Sequence, residues 1–379
     1  MPRIVLAECA YMPTALVLVL HLVGSGEASS IAEPGNFTVA AYLPEWRYEG
    51  ANWEDIAEVV DHLILFSMEV QPSGRLSAFD RLPRKELMQE ARAATRAAGS
   101  KLLVCVGGNG RSAGFSSAVA GKERRSRFVN SLISLLDRYD LDGVDLNWEY
   151  PGYDFKTGYA SDEVLERDYR GLGRLLKQLH VALAPQGRIL TMAYYPDSRQ
   201  EGLIEAHRFP QYVDLMHMMS YDQQGRHSTW EFGDRVARQG ARMLPPAQVT
   251  LGLPFYGRHV QTGDWKSYED LIQANPMLSE SEDEVSGYFF NGPKLIRRKT
   301  RLARELGLGG VMIWEVGQDC RQHAVTHRET THAVTCPLQP CEDGELGDCP
   351  RGSLLAAIHS EVGSRSARFG DSAPAKEEL

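Results

Sequence analysis

LDGVDLNWEYP, residues 141–151, decides the fold, because polar and apolar side chains alternate along it. Successive side chains of a strand point to opposite faces, so Asp145, Asn147 and Glu149 share one face. Val144 and Leu146 pack on the other. Carboxyl groups are costly inside a packed core, but catalytic groups occur at the carboxyl-terminal mouth of a parallel barrel. The stretch therefore predicts a buried barrel strand whose polar face leads into a site.

Seven more segments of the chain have the character of buried strands. With the first they give eight predicted strands, at 38–43, 62–67, 101–106, 141–147, 189–194, 213–221, 249–254 and 310–314. Helical periodicity fills several of the gaps, at 85–98, 124–139, 163–183 and 293–306. Strands that alternate with helices in this number predict an α/β protein with a (β/α)8 TIM barrel.

The 141–151 stretch resembles the D-x-x-D-x-D-x-E signature of glycoside hydrolase family 18, the chitinase family. Asp142, Asp145 and Glu149 match three of its four acidic positions, and Asn147 stands where the family has its third Asp. The resemblance implies hydrolysis of β-1,4-linked N-acetylglucosamine without a cofactor. Glu149 would act as acid and then as base, and the substrate's own acetamido group would be the nucleophile. Asp142 and Asp145 would support it.

Asn147 bears on the rate that this resemblance implies. The family's Asp accepts the acetamido N–H and stabilises the positive charge that develops on the oxazolinium. The Asn147 oxygen can still accept, and its NH2 group can donate toward Glu149, but it carries no formal charge. Because electrostatic stabilisation is usually the largest catalytic contribution, weak or specialised activity is expected.

Other motifs of the family occur at the carboxyl-terminal ends of predicted strands. Cys105-Val106-Gly107-Gly108 is similar to S-x-G-G, with Cys105 in place of Ser, and a buried free thiol is expected there. Met219-Ser220-Tyr221-Asp222 matches M-x-Y-D, which implies that Tyr221 holds the acetamido carbonyl. Trp314 would form the floor beneath the sugar. The substrate-binding residues that the resemblance implies are Tyr42, Trp46, Gly107, Gly108, Met219, Asp222, Tyr256, Arg258 and Trp314.

Aromatic residues outside these motifs are ambiguous. Trp148 has the opposite parity to Glu149, so we expect it to face the helices. His217 should point into the barrel as a hydrogen-bonded core residue, and no metal-ligand cluster is visible. Three further tryptophans either extend a sugar-stacking track or cover loops: Trp53, Trp230 and Trp265.

Composition limits the partners. The chain has 379 residues, 43% of them hydrophobic, which suffices for a barrel core, and its net charge of -9 argues against nucleic acid. The basic runs at 122–127 and 297–301 suit solvated helix faces.

About 55 residues separate the seventh and eighth predicted strands. Many family members insert a small α+β domain there, so the insertion is reduced or absent and an open groove that favours internal cleavage is expected.

The two ends of the sequence indicate the secretory pathway. Residues 1–30 resemble a signal peptide, and the apolar run at 15–23 is too short for a stable membrane span. Asn36-Phe37-Thr38 is a glycosylation sequon. The last residues, Lys376-Glu377-Glu378-Leu379, resemble an endoplasmic-reticulum retention signal. We therefore expect either the endoplasmic-reticulum lumen or the extracellular space.

The predicted organisation is a signal peptide (1–30), a catalytic barrel (37–320), a cysteine-rich extension (321–350) and a disordered tail (351–379). Two disulfides would fit the extension region, and the sequence leaves their three possible pairings open. A zinc site is the alternative, but C-x4-C without a paired C-x2-C matches it poorly. The four cysteines concerned are Cys320, Cys336, Cys341 and Cys349.

Two other functions compete with a chitinase. A non-catalytic or weakly active lectin of this fold would keep an aromatic groove and discard the acid, but Glu149 is present. An endo-N-acetylglucosaminidase acting on the N-glycans of glycoproteins would use the same chemistry on a different substrate. A chitin or N-acetylglucosamine oligosaccharide is the partner that we expect first.

Overall fold

A closed barrel of eight parallel strands forms the centre of the protein in a computed structural model that describes residues 37–327, 330–339, 349–350 and 352–363. Each strand pairs with the next, and the eighth pairs with the first, so the barrel has no free edge. The (β/α)8 prediction is therefore confirmed. The strands are β1 (Thr38–Pro44), β2 (His62–Val70), β3 (Lys101–Gly107), β4 (Gly143–Asn147), β5 (Ile189–Tyr194), β6 (Leu215–Met218), β7 (Val249–Pro254) and β8 (Gly310–Trp314).

Helices alternate with the strands and cover the outside of the barrel. Some of these helices begin with a capping side chain: Ser161 accepts the Val164 N–H, and Thr229 accepts the Phe232 N–H. None of the described helices has both the length and the hydropathy to cross a bilayer. The helices are α1 (Trp53–Val59), α2 (Lys85–Ala98), α3 (Phe115–Ala120), α4 (Lys122–Tyr139), α5 (Asp162–Leu183), α6 (Arg199–Ala206), α7 (Trp230–Met243), α8 (Tyr268–Ala274), α9 (Pro293–Glu305) and α10 (Leu354–Val362).

The predicted sixth strand, 213–221, is too long by several residues. Strand β6 ends at Met218. Beyond it the chain leaves the ladder, and the Ser220 hydroxyl donates to the Gly252 carbonyl at 2.7 Å. Because the chain turns here, Met219 and Tyr221 reach the barrel mouth from a loop and not from a strand.

The apolar core has two parts. The larger lies between the strands and the surrounding helices, while the smaller fills the barrel itself. The smaller includes Tyr42, Phe66, Cys105, Tyr221 and Met312, all of them buried. It closes the barrel below its mouth and gives the site a rigid base.

A small α+β insertion lies between β7 and β8, as expected in reduced form. It consists of helix α8 and four short antiparallel strands. Its sheet supplies one side of the barrel mouth. The strands are, in sheet order, Trp265–Ser267, Tyr256–His259, Tyr288–Phe289 and Glu284–Val285.

The region after β8 corrects one prediction. The expected disordered tail begins at 351, yet α10 lies in it and buries Leu354, Ala357 and Ile358. The structure pairs Cys320 with Cys336 in a disulfide, and Cys105 is a buried free thiol, as expected. The predicted signal peptide, Asn36, Cys341 and the last sixteen residues lie outside the described residues, as does the side chain of Cys349.

Candidate functional site

A pocket of about 310 Å³ lies at the carboxyl-terminal mouth of the barrel, and β4 leads directly into it. Asn147 is the last residue of β4, and Glu149 follows two residues later. Both line the pocket. The alternation in the sequence therefore predicted correctly which face of the strand carries the polar groups.

The carboxyl group of Glu149 is largely withdrawn from water, and this burial raises its pKa to about 7. The negative charge of Asp222 raises the pKa further, while hydrogen bonds from the Asn147 side chain and the Asn109 backbone N–H oppose the shift. Its own backbone N–H donates to the Ser112 hydroxyl at 3.1 Å. Glu149 thus has the position and the pKa of a group that can give and take a proton near neutral pH.

Asn147 is 2% exposed and is held from two sides. Its carbonyl oxygen accepts the Gly108 N–H at 2.6 Å and the Ser112 hydroxyl at 3.3 Å. Its side chain bonds to Glu149, and its Oδ1 atom has no hydrogen-bond partner within the described part of the chain. Buried oxygens are rarely left unpaired. This one is therefore available to accept an N–H group from a ligand in the pocket.

Gly107 and Gly108 shape the backbone next to Asn147. Both have positive φ, +106° and +104°, which side chains disfavour. A Cβ on Gly108 would lie 2.3 Å from the Phe66 ring, and one on Gly107 would lie 2.2 Å from the Asn147 carbonyl oxygen. Neither glycine lines the pocket. Their contribution is the close packing of β3 on the end of β4.

Asp145 lies one layer below Asn147 and is fully buried. It accepts hydrogen bonds from the Tyr42 hydroxyl at 2.9 Å, the Thr191 hydroxyl at 2.8 Å and the Cys105 thiol. Burial raises its pKa despite these donors. Asp145 does not line the pocket, so it supports the layer above and does not touch a ligand there.

Asp142 is remote from the pocket, contrary to the prediction that groups it with the catalytic residues. It precedes β4 at the amino-terminal end of the barrel. Its carboxylate binds the Arg92 guanidinium at 2.5 and 3.3 Å and accepts the Leu102 N–H at 2.8 Å. With a rise of about 3.3 Å per strand residue, Asp142 and Glu149 are separated by roughly 20 Å. The role of Asp142 is structural.

The wall opposite Glu149 carries the M-x-Y-D residues. Met219, Tyr221 and Asp222 line the pocket. Among the residues that the structure describes, the Tyr221 hydroxyl has only the Met312 sulfur as a hydrogen-bond partner, at 3.7 Å, which leaves it able to donate to a ligand. Asp222 accepts from the Tyr256 hydroxyl at 2.7 Å and from Arg258 Nε at 2.6 Å. Asp222 thereby fixes both of these predicted residues in the wall.

Aromatic rings form the floor and the rim. Trp314 lies in the floor with its ring 4.7 Å from Phe66, and behind it Tyr42 lies at 5.4 Å. Tyr42 was predicted to bind substrate, but the structure places it beneath Trp314, bonded to Asp145 and outside the pocket lining. Trp46 and Trp265 line the rim with 56% and 57% of their surface exposed.

The remaining ambiguous aromatics belong to the core. Trp148 is buried and stacks on Phe115 at 5.2 Å, as expected from its parity. His217 is fully buried, 2.8 Å from the Thr250 hydroxyl, and burial lowers its pKa to about 3. Trp53 is buried beside Tyr48, and the Arg298 guanidinium lies over Trp230. Of the three undecided tryptophans, Trp265 alone reaches the pocket.

Some pocket residues have no counterpart in the sequence prediction. Tyr150 and Asn109 directly follow the motif residues, and Tyr195 follows β5, so the strand-end rule could have found them. Arg111 could not be found in this way. Its guanidinium binds Glu45 at 2.6 Å and lies 5.7 Å from the centre of the Trp46 ring. The other pocket residues without a prediction are Phe66, Glu315 and Gln318.

Comparison with known proteins agrees with this geometry. Relatives include probable chitinase 2 of Drosophila melanogaster, 25% identical over 65% of this chain and 63% of that protein, and the endochitinase of Manduca sexta, 30% identical over 42% of this chain and 32% of that protein. Probable chitinase 10 of Drosophila melanogaster is 23% identical over 77% of this chain. The chain covers only 15% of that protein's length. It spans less than two thirds of the length of each of these three relatives.

Solved structures share the fold. Catalytic domain 2 of the Ostrinia furnacalis Group II chitinase superposes with a TM-score of 0.67 at 19% identity, over 86% of this chain and 96% of that one. A chitinase from Bacteroides thetaiotaomicron gives 0.64 at 19% identity, with the same coverage. The family model for glycosyl hydrolases family 18 matches residues 38–319, which include every strand of the barrel. The chain belongs to glycosyl hydrolases family 18.

Proposed function

We propose that the protein hydrolyses β-1,4-linked N-acetylglucosamine, as a chitinase does, with Glu149 as both acid and base. The observation that carries this proposal is the layout of the pocket wall. A carboxyl group with a pKa of about 7, an unpaired amide oxygen on Asn147 and a hydroxyl donor on Tyr221 all line one pocket. A catalytic domain of a related Ostrinia chitinase has been solved with the oligosaccharide (NAG)5.

In the first step the protonated Glu149 gives its proton to the glycosidic oxygen. The acetamido carbonyl oxygen of the substrate attacks the anomeric carbon, and the leaving sugar departs as an alcohol. Tyr221 donates to the acetamido carbonyl and aligns it for the attack. The acetamido N–H donates to Asn147 Oδ1, which gives that buried oxygen its missing partner. The product of the step is an oxazolinium ion and an ionised Glu149.

In the second step Glu149 takes a proton from water as the water oxygen attacks the anomeric carbon. The oxazolinium ring opens, the acetamido group is restored, and the configuration at the anomeric carbon is retained. Asn147 stands where the family signature has an Asp, and it offers the oxazolinium a dipole without a charge. We therefore propose a slower enzyme than one with a carboxylate at this position.

The test is Glu149→Gln, which keeps the shape of the side chain and removes the proton. Turnover of N-acetylglucosamine hexamer should fall at least ~100-fold, while the affinity for the hexamer changes little. Glu205→Gln is the matched control, because Glu205 is exposed on α6 and lines no part of the pocket. Hydrolysis at the parental rate by Glu149→Gln would refute the proposal. Binding of the hexamer without cleavage by the parental protein would identify a lectin instead.

A further inference from the structure

A second cavity, of about 460 Å³, meets the first at Glu149. The two cavities share only Glu149 and Tyr150 among their lining residues. A hairpin that follows β4 lines the second cavity. It pairs Tyr153–Asp154 with Gly158–Tyr159, and we call it the 153–159 hairpin.

The turn of the 153–159 hairpin holds the Phe155 ring outward, toward solvent. The Asp154 carboxylate accepts the N–H groups of Lys156 and Thr157, at 2.8 and 3.2 Å, and so fixes the turn. Phe155, at its tip, is 57% exposed. Behind it the Tyr153 ring lies 5.6 Å from the Phe155 ring and 5.7 Å from Tyr150. A phenyl ring fixed in water beside a cavity offers a ready apolar contact surface.

The base of the hairpin is also held in place. Asp168, 3% exposed, accepts the Gly152 N–H at 3.2 Å, the Ser116 hydroxyl at 2.8 Å and Arg167 Nε at 3.1 Å. The charge of Arg167 is thereby compensated within the protein, and the Asp154 carboxylate is used by its own turn. The cavity combines one exposed ring with the Arg167–Asp168 ion pair and the exposed Asp154 carboxylate, polar groups that can bind the hydroxyls of a sugar.

We propose that the 153–159 hairpin binds the saccharide on the leaving-group side of the cleaved bond, with Phe155 stacking on a sugar ring. This proposal rests on the function proposed above. An acid that protonates a glycosidic oxygen lies between two sugars, so the substrate extends to both sides of Glu149. The first cavity holds Asn147, Tyr221 and Trp314 and takes the reacting sugar. The second cavity, on the other side of Glu149, therefore takes the leaving-group part of the substrate, a neutral oligomer of N-acetylglucosamine.

The experiment compares two substrates. N-acetylglucosamine hexamer carries a leaving-group saccharide, whereas the preformed oxazoline of N,N′-diacetylchitobiose has none. Phe155→Ala should lower kcat/KM on the hexamer about tenfold, the effect of losing contact with roughly 50 Å² of apolar surface. The oxazoline should be hydrolysed within about twofold of the parental rate, because its reaction begins after the leaving group has departed.

Two variants control for indirect effects. Phe155→Trp should keep hexamer kcat/KM within about twofold, because a larger ring still stacks. Phe79→Ala removes the same ring from a residue that is 46% exposed and lines neither cavity, and it should change neither substrate. An equal loss on both substrates, or no loss on the hexamer, would overturn the role of the hairpin. Failure of the parental protein to cleave the hexamer would refute the proposed function itself, and is seen before any variant is made.

Discussion

The pKa of Glu149 is raised to about 7 because its half-buried carboxyl group loses solvation and lies near the negative charge of Asp222. Burial is the larger cause, and the charge of Asp222 adds to it. A raised pKa keeps the acid protonated at pH values where an exposed glutamate is ionised. The pH at which activity is lost therefore depends on how far the pocket excludes water from Glu149 and on the negative charge near it.

The first prediction concerns this pH. As an acid in the first step, Glu149 must carry its proton, so kcat/KM should be constant below a pH of about 7 and fall above it. The expected fall is about tenfold per pH unit. The measurement is kcat/KM on N-acetylglucosamine hexamer from pH 5 to 9. A rate that stays constant up to pH 9 would exclude Glu149 as the group that titrates.

The second prediction is that Asn147→Asp raises turnover on the hexamer, because the new carboxylate stabilises the cationic oxazolinium. Two neighbouring carboxylates also repel each other, so the loss of activity should move to higher pH. The matched control is Asn109→Asp, which adds a charge at another residue of the pocket. A lower rate at every pH, with affinity and fold unchanged, would mean that the pocket is adapted to the amide.

For single residues, the sequence predicted well which side chains meet at the barrel mouth, but it predicted poorly how deep in the barrel each one lies. Asn147, Glu149, Tyr221 and Asp222 lie together as predicted, because motif residues at strand ends converge on one mouth. Asp142 and Tyr42 do not lie in the pocket. A motif does not show that Asp142 lies at the other end of the barrel axis, or that the Trp314 ring lies between Tyr42 and the pocket. Arg111 lies in a loop whose path depends on its partner Glu45 across the mouth.

The two ends of strand β4 differ: one leads into the pocket, and the other is held by structural contacts. Its carboxyl-terminal end carries the pocket residues, while Asp142 before its start anchors Arg92 and the Leu102 N–H. Parallel barrels commonly separate catalysis from stability in this way. The eight strands and the four predicted helices lie close to their predicted positions, because hydrophobic periodicity is a local property. The end of β6 was not predicted, since it depends on the bond from Ser220 to β7.

The third prediction separates the two ends. Asp142→Asn should lower the free energy of unfolding by about 1–3 kcal/mol, because a partly buried charged hydrogen bond to Arg92 is lost. The kcat/KM of the folded protein should stay within about twofold. Urea unfolding and hexamer kinetics are the measurements, with Asp137→Asn as the control, since its bond to Arg188 lies at the exposed surface of α4. A large kinetic loss without loss of stability would return Asp142 to the catalytic group.

At the scale of the whole molecule, the described chain continues past the barrel, and its last helix, α10, packs against the outside of the barrel. Helix α10 packs on α9, and Asp319 is the link between them and β8. Its buried carboxylate accepts from the N–H groups of Leu354 and Leu355 and from the Ser353 hydroxyl, at 2.8–2.9 Å. The sequence did not predict α10, because its short apolar run stands within a polar, charged stretch whose composition favours disorder.

The fourth prediction is that Asp319→Ala destabilises the protein by about 3 kcal/mol, because several buried donors lose their acceptor at once. Backbone N–H groups of α10 should exchange with solvent faster than those of the barrel strands. Hydrogen exchange and urea unfolding are the measurements. Glu361→Ala is the control on the same helix, since it removes an ion pair with the exposed Arg301 and should change stability less than Asp319→Ala. Unchanged exchange in α10 would show that Asp319 does not hold the helix.

Asp319 lies at the end of the segment that the family model matches, and its carboxylate binds helix α10. The match to the family model ends at residue 319 and so leaves out the helix whose N–H groups the Asp319 carboxylate binds. A fragment excised at that point would expose the face of α9 that α10 covers and would bury an anion without its donors. We expect such a fragment to aggregate, whereas one continued through residue 363 should be recovered as a monodisperse species.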